Sequence, residues 1–382
     1  MPTLWRSLVI TAIGKHDRIG GLDTWRTALM LAGLLVHGSV WLDPHPLFLL
    51  IDLISKSFRM GGFFAISGFL AARAMTRFGV KRWLRVRLIQ LGTPALFGWS
   101  VLSPLMWLIA VLHAGSRAPN LLLFDWNHLW FLYGLLLYSG VVAATSRSVR
   151  VHRWCAKAAA YLIAAPHHAR IALLAGALVS AVTLSSIGLA MRAMLPLAYA
   201  AAFNQFELIA AYLPMFLLGY ATASSIAIRD RVLAVKGVWL VLSLLIVACV
   251  ATTVAQYWLP HAVAGAIEAK VRLVGATLGP PFAFVAVMRS ALSITRVGRF
   301  TRSLPDASYT IYLLHVPALS ISNAVLVRSP LPQLVIFALS VVASGVACYL
   351  FHLYVVRRVG TLALLLNGRV AAPRPPGSVA TA

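Results

Sequence analysis

The strongest constraint in this sequence of 382 residues is a series of long apolar runs, separated by short connections that are rich in Lys and Arg. A helix of ~20 mainly apolar residues can cross the ~30 Å hydrocarbon core of a bilayer. The runs are continuous and do not alternate with period two, which favours helices over barrel strands. The sequence therefore predicts an all-α polytopic membrane protein.

The composition excludes a soluble protein of this length. Hydrophobic residues make up 60% of the chain and charged residues 11%, and the mean hydropathy is +0.86. A soluble domain carries about 25% charged residues, more than twice this share. Too few polar side chains are present to cover a water-facing surface.

The apolar runs predict about ten transmembrane helices and one integral membrane domain over residues 1–360. The remaining residues, 361–382, contain prolines and small polar residues and are expected to form a disordered cytoplasmic tail. The ten spans are expected near residues 27–43, 60–77, 89–112, 127–145, 171–190, 206–226, 237–258, 272–290, 306–326 and 333–355.

The basic residues predict the orientation. Lys and Arg number 33 against nine acidic residues, which gives a formal net charge of +24. Twenty-six of the 33 fall in the N-terminal segment, the C-terminal segment and the loops after spans two, four, six and eight, if the adjoining span ends with Arg73, Arg77 and Arg289 are included. Because cytoplasmic loops are enriched in Lys and Arg, both termini are expected in the cytoplasm. The positive charge is therefore interpreted as topogenic, with some anion binding and no nucleic-acid partner. The three scattered cysteines predict neither a disulfide framework nor a zinc site.

The first span carries two functional candidates, Arg26 and His37. Eleven helical residues make three turns plus about 20°, so the two side chains share one face about 16 Å apart. Ionisable residues inside a span tend to mark function, and a histidine suits general-base work. The alternative is a neutral His37 held by an interhelical hydrogen bond, with Arg26 anchoring the helix end.

The second span and the basic segment after it supply further candidates. Gly61, Gly62, Ala65 and Gly68 predict close helix packing. Arg59, at the expected outer end of the span, is a candidate for binding an acidic or hydroxyl-rich acceptor, or it simply snorkels.

The segment Lys81–Arg87 carries four cations in seven residues. Such a cluster suits a polyphosphate, for example the nucleotide end of coenzyme A, because guanidinium groups bind phosphates through charge-assisted hydrogen bonds. The alternative is binding of inner-leaflet lipids. On the opposite side of the membrane, His128, Glu207 and His315 are candidates for lining the acceptor site.

Five segments, in this order, resemble the membrane acyltransferase-3 family, and most closely its OpgC/MdoC-type glucan succinyltransferase branch. They are Leu22–Arg26 with His37, Phe63–Leu70, Lys81–Arg87, His128–Leu132 and Ser308–His315. The family moves an acyl group from cytoplasmic acyl-CoA to a hydroxyl, often on a sugar, at or beyond the outer face. The resemblance implies a stand-alone enzyme of the bacterial inner membrane, without a permanently bound cofactor or metal.

The resemblance also implies roles for individual residues. His37 corresponds to the essential histidine of the first span and Arg26 to its paired arginine. Ser67, in the second-span motif, and Arg82, Arg85 and Arg87 lie with the acyl donor. The chain has Gly62 where the family often carries an acidic residue, which leaves open what orients His37.

The leading hypothesis is therefore an O-acyltransferase that uses acetyl-CoA or succinyl-CoA, with His37 as general base. Direct attack by the acceptor and a transient acyl-histidine are both compatible with the sequence. The main alternative is a transporter or flippase for a glycan, a lipid or an antibiotic, and a third is a non-catalytic scaffold. The sequence predicts neither the acyl group, the acceptor nor the oligomeric state.

Overall fold

A computed structural model describes residues 20–39, 42–114, 126–194, 197–294 and 299–369. Every regular element within these ranges is helical, and they contain no β-strand. The all-α class predicted from the apolar runs is confirmed.

Fifteen α-helices lie within the described ranges. In chain order they are α1 (Gly20–His37), α2 (Pro46–Phe78), α3 (Val80–Arg87), α4 (Thr93–Phe97), α5 (Ser103–Ala114), α6 (Trp130–Thr145), α7 (Val149–Ala164), α8 (Pro166–Met194), α9 (Leu197–Ser224), α10 (Ile226–Leu233), α11 (Val238–Trp258), α12 (His261–Ser293), α13 (Arg299–Leu326), α14 (Gln333–Phe351) and α15 (Gly360–Asn367).

Three π-helical segments interrupt or extend these helices. Leu88–Gly92 and Gly98–Leu102 flank α4, and His352–Val356 continues α14. A short 3₁₀ turn, Asn127–Leu129, leads into α6. π-Helical turns occur frequently at functional sites, because the extra residue in the turn redirects neighbouring side chains.

Seven helical stretches in the described part of the chain are long and apolar enough to cross a membrane. They are Val80–Leu112, Pro166–Met191, Gln205–Ser224, Val238–Trp258, His261–Ser293, Leu304–Leu326 and Gln333–Val356. The other three expected spans fall in α1, α2 and α6. Helix α6 is apolar but has only 16 residues, and α1 and α2 carry charged side chains. The structure thus supports a membrane protein with several apolar helices, and the count of ten stays a prediction.

Helix α2 lies at the centre of the bundle, in contact with α1, α9, α11 and α12. The predicted packing role of its small residues is confirmed. A Cβ atom at Gly68 would overlap the carbonyl group of Phe216 in α9, and one at Gly61 would overlap the ring of Pro280 in α12. Glycine lets these backbones approach more closely than any larger residue allows.

Two helix boundaries differ from the prediction. Helix α1 ends at His37, before a turn at Gly38 and Ser39, so this histidine lies at a helix terminus and not in mid-helix. Helix α2 already begins at Pro46, where His45 caps it, so Arg59 lies well inside the helix.

The predicted disordered tail is wrong for residues 361–367, which belong to α15. This helix packs back against α4 and α13, and the packing contacts order it despite its position near the end of the chain. Residues 370–382 lie outside the described ranges.

Candidate active site

Three histidines from distant parts of the sequence meet at one end of α1. His37 is the last residue of α1, His128 lies in the 3₁₀ turn before α6, and His315 lies in α13. The ring centroid of His37 is 5.2 Å from that of His315 and 6.2 Å from that of His128. The centroids of His128 and His315 are also 5.2 Å apart. We call this group the histidine cluster.

Backbone carbonyl groups hold two of the three rings. Nδ1 of His315 lies 2.6 Å from the carbonyl oxygen of Tyr312, and Nε2 of His128 lies 3.3 Å from that of Leu313. The Tyr312 hydroxyl donates to the carbonyl of His128, which ties the 3₁₀ turn to α13. Because a carbonyl oxygen only accepts, each of these ring nitrogens carries the proton of its bond.

The other nitrogen of each fixed ring is then unprotonated in the neutral form. Nδ1 of His128 and Nε2 of His315 are buried and have no hydrogen-bond partner within the described residues. His315 is 1% exposed and His128 is 7% exposed. The cluster therefore presents two unoccupied lone pairs beside His37.

A proline explains how His128 obtains its carbonyl partner. Pro317 lies inside α13 and has no N–H group, so it cannot bond to the carbonyl of Leu313 four residues earlier. That carbonyl is the one that accepts from His128.

The π-helical segment Gly98–Leu102 packs against the 3₁₀ turn that carries His128, since a Cβ at Gly98 would lie 2.6 Å from Cδ1 of Leu129.

Arg59 of α2 borders the histidine cluster. A Cβ atom added at Gly33 of α1 would lie 3.1 Å from Nη1 of Arg59 and 3.8 Å from Nε2 of His315. Arg59 is partly buried, and its Nε donates to Oγ of Ser55 at 2.7 Å. A glycine at position 33 thus leaves room for a guanidinium group between α1 and α2.

A polar cavity of about 130 Å³ lies towards the other end of α1, where α3 ends and α13 begins. We call it the basic pocket. Its lining contains three guanidinium groups, two side-chain amides, one carboxyl group, a tyrosine and a proline, namely Arg26, Arg87, Gln90, Pro305, Asp306, Tyr309, Asn367 and Arg369. Nη2 of Arg369 lies 2.8 Å from Oδ1 of Asp306, and the Arg26 guanidinium lies 6.0 Å from the centroid of the Tyr309 ring.

A buried hydrogen-bond network supports the basic pocket. Thr310 donates to Oδ1 of Asn367 at 3.0 Å, and its Oγ1 lies 2.8 Å from Nδ1 of His352 in the third π-helical segment. This network fixes α15 against α13 and α14. Gly368, with a φ of 58°, completes the contact, because any Cβ there would overlap the backbone of Gln90.

Helices α1 and α13 connect the two sites. Arg26 and His37 are eleven residues apart on α1, about 16 Å along the helix axis. On α13, Tyr309 lines the basic pocket and His315, six residues later, belongs to the histidine cluster. Both helices therefore lead from the basic pocket to the histidine cluster.

The structure divides the residues singled out from the sequence into four groups. His37, Arg59, His128 and His315 meet at the histidine cluster, and Arg26 and Arg87 meet at the basic pocket. Arg82 and Arg85 are exposed and do not line the pocket. Ser67 is buried in α2, and the carboxylate of Glu207 faces Gly188 of α8.

Sequence reasoning missed four polar contributors to the basic pocket, Gln90, Asp306, Asn367 and Arg369. Asn367 and Arg369 lie in the segment that the sequence predicts to be a disordered tail, and neither Gln90 nor Asp306 belongs to a recognisable motif. Among the described residues, no group of three or more His, Cys, Asp or Glu side chains has an arrangement that could hold a metal ion.

Comparison with known proteins gives the family. The profile of a family described as an acyltransferase domain (acyltransferase 3) matches residues 19–353. Three curated relatives called glucans biosynthesis protein C, from Escherichia coli O1:K1 / APEC, O139:H28 (strain E24377A / ETEC) and strain K12 / DH10B, are 31% identical over 152 residues.

This second match covers 34% of the chain and 39% of each relative, so the chain spans about two fifths of the length of the curated relatives it matches. No solved structure matches the chain. Because the family profile covers most of the sequence, the protein belongs to the acyltransferase-3 family of membrane acyltransferases.

Proposed function

We propose that this protein is an O-acyltransferase that moves an acetyl or succinyl group from cytoplasmic acyl-CoA to a hydroxyl group of an extracytoplasmic glycan. Family membership supports acyl transfer. The relatives called glucans biosynthesis protein C support a glycan acceptor, such as a periplasmic glucan. The observation that carries the proposal is the convergence of His37, His128 and His315, joined along α1 to a pocket lined by Arg26 and Arg87.

The proposed orientation places the basic pocket at the cytoplasmic face of the bacterial inner membrane. Twenty-six of the 33 Lys and Arg residues fall in segments assigned to that side. Acyl-CoA is made in the cytoplasm, so its phosphates would enter a pocket already on the correct side. Arg26 and Arg87 would bind them through charge-assisted hydrogen bonds.

In the proposed reaction His37 is the proton acceptor. The acceptor hydroxyl gives its proton to the imidazole as its oxygen attacks the thioester carbon, and the C–S bond then breaks and releases CoA, which takes up a proton. The bare Nε2 of His315 lies on the ring nearest to His37 and can accept the second N–H of the imidazolium. His315 would then take the place of the acidic residue that the second span lacks.

The proposal assigns the remaining candidates by position. His128, in the 3₁₀ turn before α6, remains a candidate for the acceptor side. Glu207 packs beside Gly188 of α8, and Ser67 is buried in α2. We give neither of them a role in the reaction.

The test is acyl transfer by detergent-purified protein, with periplasmic glucan as acceptor and CoA release as the readout. His37→Ala is expected to lower the rate by about 10²–10⁴, the usual loss when a general base is removed. His261→Ala removes an exposed histidine at the start of α12 and serves as the matched control. Near-normal transfer by His37→Ala would remove His37 from the mechanism.

The acceptor is tested in cells. Mass spectrometry of periplasmic glucans with and without the protein is expected to show acetyl or succinyl esters only when the protein is present. Movement of a glycan or lipid across the membrane without any acyl-CoA would instead support the transporter alternative.

A further inference from the structure

The guanidinium group of Arg59 has most of its hydrogen-bonding capacity unused. A guanidinium carries five N–H donors. One of them, on Nε, bonds to Ser55, and Arg59 makes no further hydrogen bond or ion pair with any residue that the structure describes. Burying a cation without such partners is unfavourable, so a partly buried arginine of this kind marks a place where negative charge is bound.

The nearest acid on the same helix is already paired. Asp52 lies seven residues before Arg59 in α2, and its Oδ2 bonds to Lys56 at 3.0 Å and also to Arg272 of α12. Arg272 in turn bonds to Glu268 at 2.6 Å. Asp52 is therefore ion-paired with Lys56 and Arg272, and Arg59 forms no ion pair with any acidic residue that the structure describes.

The position of Arg59 relates it to the donor. Nη1 of Arg59 borders Gly33, which lies one helical turn before His37 and two turns after Arg26 on α1. His37 lies about one helical turn beyond Gly33 on α1, so a thioester group held beside His37 would be within reach of the free N–H groups of Arg59.

We propose that Arg59 donates hydrogen bonds to the thioester oxygen and stabilises the negative charge that develops on it; this inference rests on the proposed function. As the acceptor oxygen bonds to the thioester carbon and its proton moves to His37, the C=O electron pair shifts to the oxygen. When this pair reforms the carbonyl, the C–S bond breaks, and the CoA thiolate takes the proton from His37. A route through an acyl-histidine forms two such oxyanions in turn, one as CoA leaves and one as the acceptor displaces the histidine, and in both the negative charge develops on the same acyl oxygen.

The sequence predicts that Arg59 binds the acceptor. The proposal instead gives Arg59 the role of binding the carbonyl oxygen of the donor. Removing one such oxyanion donor typically lowers kcat by about 10²–10³. The loss is expected in kcat while the KM for acyl-CoA changes little, because the hydrogen bond strengthens only in the transition state.

The experiment compares Arg59→Gln, Arg59→Lys and the wild-type protein in the CoA-release assay. Lys56→Gln is the matched control, because it removes an exposed cation three residues earlier on the same helix. Binding of CoA and of a CoA trifluoromethyl ketone, whose hydrate mimics the tetrahedral intermediate, is measured for each protein. Arg59→Gln is expected to bind CoA like the wild type and to lose at least tenfold in affinity for the ketone.

Three results would overturn the inference. They are a kcat for Arg59→Gln equal to that of Lys56→Gln, a rise in KM for acyl-CoA with kcat unchanged, and an equal loss of affinity for CoA and for the ketone. If Arg59→Gln does not fold, the inference is tested with Arg59→Lys, which keeps the charge but not the paired donors. Its kcat is expected to lie below that of the wild type and above that expected for Arg59→Gln. A wild-type protein that neither binds acyl-CoA nor releases CoA would reject the proposed function itself.

Discussion

The two ends of α1 carry polar sites that are built differently. At the histidine cluster, backbone carbonyl groups hold the rings of His128 and His315, and both side chains are buried. At the basic pocket, Arg369 and Asp306 form an ion pair between side chains that are about half exposed. Fixed, desolvated groups suit proton transfer at a defined position, whereas exposed charges that can exchange partners suit reversible binding of an anion. In the proposed function, the histidine cluster is therefore the site of the reaction and the basic pocket is the binding site of the donor.

Among the variants that test this difference between the two sites, those of His315 are expected to have the largest effect. His315→Ala removes the bare Nε2 beside His37, and we expect kcat to fall about 10–100-fold, as when an outer partner of a functional histidine is lost. His315→Gln is expected to recover part of the rate, because its amide oxygen can accept the same N–H. Equal activity of the two variants, measured as CoA release, would show that His315 only fills space.

The basic pocket is expected to respond in KM and not in kcat. Arg26→Ala and Arg87→Ala each remove a charged donor whose hydrogen bond contributes about 1.5–3 kcal/mol, so the KM for acyl-CoA is expected to rise about tenfold or more. The affinity for CoA without an acyl group should fall by the same factor. A loss of kcat at unchanged KM would contradict the division between the two sites.

The smallest effect is expected for Arg82 and Arg85, which are exposed beside the pocket. The double variant Arg82→Ala with Arg85→Ala is expected to raise KM no more than about fivefold, and less at high salt, because solvent screens exposed charges. Titration of acyl-CoA at low and high ionic strength measures this. A tenfold or larger effect that persists at high salt would place these residues in direct contact with the donor.

Helix periodicity predicted part of this arrangement. Eleven residues separate Arg26 from His37, and α1 carries both on one continuous helix, as that spacing indicates. The small residues of α2 predicted close packing, and Gly61 and Gly68 show it. Both predictions depend only on local geometry and residue size.

Long-range packing decides the rest. His128 and His315 are separated by 187 positions, and nothing in their local sequence indicates that both rings meet His37. The role of Pro317 depends on which side chain reaches the freed carbonyl of Leu313. The contribution of Asn367 to the basic pocket depends on the packing of α15 against α4 and α13, which composition alone could not reveal.

The most direct test is a structure of the protein with a non-hydrolysable acyl-CoA analogue. We expect the phosphates to lie in the basic pocket, in contact with Arg26 and Arg87, and the carbonyl of the acyl group to reach the histidine cluster within about 4 Å of His37. Its oxygen should face Arg59. An acyl group that ends in the lipid, or a CoA moiety bound away from the basic pocket, would rule out this division of roles between the two sites.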